Sequence, residues 1–98
     1  MAAQGLTIER IELSERFQRD LKGLSPDLLK TVKEAVGDLL KSPIPATRRF
    51  HRLHGYTDPK VYTIDVLPNK SYKISFKIDG NVATLRRVAT HKTIDRTP

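Results

Sequence analysis

There is no cysteine in this 98-residue chain, so neither a disulfide nor a thiolate metal site can hold it together. No apolar run approaches the roughly 18 residues that span a bilayer. The start, Met1-Ala-Ala-Gln-Gly5, has neither a charged n-region nor an apolar h-region, so no secretory signal is visible. Repeats, linkers and low-complexity tracts are also missing from the sequence. The expectation is a soluble cytoplasmic protein, residues 1–98 forming one domain around one core, with no membrane partner. Only 38% of the residues are hydrophobic, which suffices for a modest interior.

The first half also lacks net charge. Up to Lys41 the acids and bases cancel, and the formal excess of +7 comes from the residues after Ser42. Arg48, Arg49, Arg52, Lys60, Lys70, Lys73, Lys77, Arg86, Arg87, Lys92 and Arg96 are opposed there only by Asp58, Asp65, Asp79 and Asp95. His51, His54 and His91, the only histidines, sit among these bases. Such an excess favours acidic partners through long-range attraction. A neutral scaffold carrying a basic, histidine-bearing half suggests a site for a polyanion.

The pattern of residues predicts α+β. Residues 6–11 read as a short strand. Ser14 is a helix N-cap with Glu15 in the first turn, and Phe17, Leu21 and Leu24 follow at helical spacing. Ser25-Pro26 starts a second helix, because proline is suited to the first helical position. Leu28, Leu29, Val32, Ala35, Val36, Leu39 and Leu40 form its apolar stripe, and Pro43 and Pro45 end it. From there the period changes to two. Residues 61–67, 71–78 and 81–89 read as strands, with a turn at 68–70 and a hairpin at Asp79-Gly80. The order is β-α-α-β-β-β: a two-helix hairpin packed on a small, mainly antiparallel twisted sheet whose other face is partly open.

That open face is the expected site. Lys73, Ser75 and Lys77 share one side of a strand, and Arg86 lies on the next. Ahead of them, 48–56 reads as a basic edge or loop, where Arg48, Arg49 and Arg52 suit phosphate oxygens and Phe50 or Tyr56 could stack on a base. A solvated basic surface is the plain alternative for both. Imidazole titrates near neutral pH and can move protons at a 2′-hydroxyl or a leaving 5′-oxygen. RNA can be cleaved this way without metal, given in-line geometry and cations for the phosphate charge. His51 and His91 are the first candidates for that work, His54 and Asp65 the second. A metal site from His51-x-x-His54 with His91 and Asp65 has weak spacing. Ser75, His91 and Asp65 could be drawn as a triad, but no nucleophile-elbow motif is present.

Phe50-His-Arg-Leu-His-Gly-Tyr56, Tyr72-Lys-Ile-Ser-Phe-Lys-Ile-Asp-Gly80 and Leu85-Arg-Arg-Val-Ala-Thr-His91, in this element order, resemble the RelE/ParE superfamily of toxins from type II toxin–antitoxin modules. The resemblance covers about residues 6–95, and the last of these runs is similar to the YafQ-like branch. It implies a ribosome-dependent messenger RNA endonuclease needing no cofactor or metal, held inactive by an acidic antitoxin. On that analogy His51 matches the branch's histidine before the second strand, and His91 the one after the last strand. Asp65 stands where the branch can carry another histidine, Asn69 where it can carry an aspartate, and Ile94 where it tends to carry an aromatic ring. RelE-like members use arginines and lysines instead, roles open to Lys73, Arg86 and Arg87, with Lys77 and the 48–52 arginines as RNA contacts. ParE-like members, which act on DNA gyrase, need no such histidines.

Overall fold

A computed structural model describes residues 7–41, 43–57, 60–67, 69 and 71–98, apart from the side chains of residues 54, 56 and 57. Its elements are β1 (Arg10–Leu13), α1 (Glu15–Lys22), α2 (Pro26–Leu39), a 3₁₀ turn (Ala46–Arg48), β2 (His51–Thr57), β3 (Lys60–Asp65), β4 (Tyr72–Asp79), β5 (Val82–Thr90) and α3 (His91–Arg96). They form a sheet in the order β1-β5-β4-β3-β2, in which only β1–β5 is parallel. The class is the expected α+β. The order gains a strand and a helix: 51–57 is an edge strand, and the chain past β5 folds back as α3. The first strand lies at Arg10–Leu13, later than 6–11, and Leu6 falls outside the described residues.

The helix starts follow from their caps. Ser14 Oγ accepts from the Phe17 amide, and Ser25 Oγ from the Leu28 amide. Phe17, Val32, Ala35 and Leu39 pack with Ile64, Val66, Ile74, Phe76, Ala83, Leu85 and Val88 in one core. Phe50, Tyr62 and Phe76 stack at its margin, with centroids 5.4–6.0 Å apart. Phe50 is thereby a packing residue. The β4–β5 hairpin closes on the pair Asp79–Val82, and Gly80, at φ 61°, takes the left-handed position that opens its two-residue turn. Of the 68–70 turn only Asn69 is described; its Oδ1 accepts from the Ser71 amide and hydroxyl.

Leu85 and Val88 both reach the core, although period two cannot put residues three apart on one face. A bulge resolves the conflict. Phe76 pairs with Leu85 and Ser75 with Arg87, so Arg86 is the extra residue. Ser14 satisfies the backbone there: its amide donates to Leu85 O and its hydroxyl to Arg86 O, each at 3.1 Å. Farther along β5, where β1 has ended, Asp20 Oδ2 accepts from the Val88 amide at 3.1 Å.

Candidate functional site

The sheet face turned away from α1 and α2 carries rows of cross-strand partners. His51, Thr63, Ser75 and Arg87 stand directly opposite one another across β2, β3, β4 and β5. The next row on that face is Asp65, Lys73 and Ala89. His91 comes two residues beyond Ala89, with its amide donating to Ser71 O at 2.9 Å. In the other direction lie Lys77 and Thr84, which pair with each other.

This face is less open than the sequence suggested. α3 packs across β4 and β5, and its Ile94 is fully buried. Thr63, Asp65, Lys73 and Ser75 are buried too. Ile94, at the position where the resemblance would put an aromatic ring, anchors the helix. Thr90 Oγ1 caps α3 by accepting from the Thr93 amide. Arg87 Nη1 donates to the carbonyl and hydroxyl oxygens of Thr97, fastening the far end.

Several expected RNA contacts are structural clamps. Arg48 Nε donates to Asp38 Oδ2 at 2.8 Å, and its Nη1 to the carbonyls of Asp65 and Val66. That side chain therefore joins the end of α2 to the end of β3. Its guanidinium, and after it Lys41, hold the Asp38 carboxyl below its usual range against the opposing effect of burial. Arg87 Nε lies 3.3 Å from Asp20 Oδ2. Lys73 Nζ is 3.4 Å from Asp65 Oδ1, with both side chains under 8% exposed. Asp65 also has Arg49 Nε 3.5 Å from its other oxygen. Asp65 thus lies between two cations. Among the described residues, no hydrogen bond reaches Asp65 Oδ1, Ser75 Oγ or Arg86 Nε. The drawn Ser75–His91–Asp65 triad is not assembled: Ser75 Oγ is buried, and Asp65 faces its cations.

Of the expected RNA contacts, Arg49 and Arg52 are exposed and Lys77 is partly so. Arg49 adopts φ 50°, ψ 51°, a left-handed conformation uncommon outside glycine, at the point where the 3₁₀ turn hands the chain to β2. Its carbonyl lies 3.0 Å from His51 Nδ1. Thr63 Oγ1 lies 3.3 Å from His51 Nε2, which leaves the ring exposed on the edge strand. β2 pairs irregularly after Arg52 and carries Gly55 at φ 89°. Lys77, Arg86 and Arg87 also line a groove of about 540 Å³, joined there by Arg16 of α1, which the sequence did not single out.

His51 and His91 are not neighbours. Three strand spacings, about 14 Å, separate their strands, and four residues, about 13 Å, separate their rows. His91 has a different partner: its Nε2 is 2.8 Å from Asp95 Oδ2. Asp95 was missed because no helix was expected after β5. Once 91–96 is helical, His91 and Asp95 are one turn apart. The His54 side chain lies outside the described residues. Among the described residues, no group of three His, Asp or Glu could hold a metal ion. No described helix is long and apolar enough to cross a membrane.

A helical hairpin on one face of a mixed sheet, with imidazoles and bases on the other, describes a class of small α+β proteins. No family model and no curated protein matches the sequence. Solved structures do. A chain of the DinJ–YafQ toxin–antitoxin complex from E. coli superposes with a TM-score of 0.71 at 23% identity, covering 89% of this chain and 98% of that one. The RelB–RelE antitoxin–toxin complex from Methanococcus jannaschii gives 0.67 at 25% identity, covering 89% and 99%. The RelBE2 toxin–antitoxin complex from Mycobacterium tuberculosis gives 0.67 at 23% identity, covering 87% and 100%. The protein has the fold of the RelE superfamily of toxins, to which YafQ and RelE belong.

Proposed function

We propose that this protein is the toxin of a type II toxin–antitoxin pair, and that it inhibits translation as a metal-independent, ribosome-dependent messenger RNA endonuclease. The observation that carries the reading is the exposed imidazole of His91, held at the end of a basic sheet face within a RelE-type fold. His91 is the general acid or base at the cut. His51, on the far edge strand, does not reach the same phosphate. It works with Arg49 on a neighbouring stretch of the RNA, and Arg52, which pairs with Tyr62 and so starts from the opposite face, reaches that stretch only around the sheet edge. Cations on this face offset charge on the pentavalent phosphate. An acidic antitoxin would neutralise the same face, and the neighbours crystallised with antitoxins support such a partner.

Brief induction followed by mapping of RNA 5′ ends tests the reading. New ends within translated messages are expected. A ParE-like gyrase inhibitor gives DNA breaks and no new RNA ends. A non-catalytic homologue binds RNA with strong salt dependence and leaves it whole.

A further inference from the structure

We propose that Asp95 is a positioning residue for His91: it fixes the imidazole as the Nε2–H tautomer and leaves Nδ1 as the nitrogen that faces substrate. The proposal rests on the ribonuclease reading and assigns the working atom within it.

The geometry is that of a carboxylate orienting an imidazole. His91 Nε2 and Asp95 Oδ2 are 2.8 Å apart, an ion-pair contact across one helical turn, at the distance a charge-assisted N–H···O contact takes. A carboxylate only accepts, so a proton shared between the pair belongs to Nε2 in the proposed arrangement. A fixed tautomer matters because a ring nitrogen can act as a base only when it is the unprotonated one.

Helix stabilisation does not explain the pair. His91 is the first residue of α3 and Asp95 the fifth. The helix dipole favours anions at the start and cations at the end, and paired charges stabilise helices best in that order. This pair runs the other way. Both side chains are also nearly half exposed, so the contact contributes little to folding.

The frame around the pair is rigid. Ile94, between the two residues, is fully buried, and the His91 amide is held by Ser71 O. The nearby charges are committed elsewhere: Lys73 to Asp65, and Arg87 to Asp20 and Thr97. On α3 itself, Lys92 and Arg96 are exposed, and with Asp95 they line a groove of about 410 Å³. An RNA phosphate brought to that groove would lie within a helical turn of His91.

The test combines ring-nitrogen NMR with single-turnover cleavage of a message fragment on ribosomes. In alkaline buffer the wild-type His91 ring shows the Nε2–H pattern, and Asp95→Ala shows a tautomer mixture. Asp95→Ala lowers the rate of the chemical step about tenfold with little change in KM, and Asp95→Glu recovers part of it. Asp95→Asn, whose amide can donate to Nε2, selects the wrong tautomer and is at least as slow as Asp95→Ala. An unchanged ring pattern in Asp95→Ala overturns the proposal. So does an unchanged rate in Asp95→Ala beside an inactive His91→Ala. A wild-type protein that cuts no RNA overturns the parent reading, and is told apart by its own lack of product.

Discussion

The two ends of the basic sheet face hold their histidines differently. His51 stands on an irregular edge strand, where its ring touches a backbone carbonyl and a threonine hydroxyl. His91 opens a helix seated on a buried isoleucine, and its ring meets a carboxylate. On the proposed reading, the first site would adapt to a ligand, and the second would be organised before any ligand arrives. Chemistry needs the second kind of site, while binding along a flexible backbone tolerates the first.

Removing the His91 imidazole should therefore break the comparison most sharply. His91→Ala is expected to slow cleavage by about 10²- to 10⁴-fold, with a thermal melt close to wild type. Ile94→Ala should remove the seat of α3. It is expected to cost about 2–4 kcal/mol in urea denaturation, and to lower cleavage although Ile94 is shielded from RNA. Arg48→Met attacks the frame and leaves the face intact. Loss of its hydrogen bonds to Asp38 and to two carbonyls should cost about 1.5–3 kcal/mol.

The sign of the pH dependence comes from Asp38. Arg48 first, then Lys41, lower its folded-state pKa below the usual 3.8. Its stabilisation is complete above that value and fades as pH falls through the lower folded one. Wild type should thus lose stability with acid in that window, and Arg48→Met should lose less there. The smallest effects belong to the β2 end. Arg49→Ala and Arg52→Ala should each weaken RNA binding and reduce its salt slope by about one, with cleavage of bound RNA little changed.

Much of the frame was legible. Ser14 and Ser25-Pro26 announced both helices because caps are local, and the alternation of β4 announced its core face. What escaped was set by tertiary contacts. The bulge at Arg86 is needed because Leu85 and Val88 share a core, a signal present in the Leu-Arg-Arg-Val spacing. The helix α3 is six residues long and held by burial of Ile94 more than by propensity. Charge counting could not separate clamps from free cations: Arg48 and Arg87 meet acids far away in sequence, at Asp38 and Asp20. For the same reason His51 and His91 looked like partners, yet strand order sets them three strands apart.

The most direct measurement is cleavage of a translated message by wild type, His51→Ala and His91→Ala, at RNA concentrations that saturate all three proteins. The account predicts that His51→Ala, once saturated, cuts at close to the wild-type rate, while His91→Ala is nearly inactive. Equal and severe loss in both variants at saturation would contradict it.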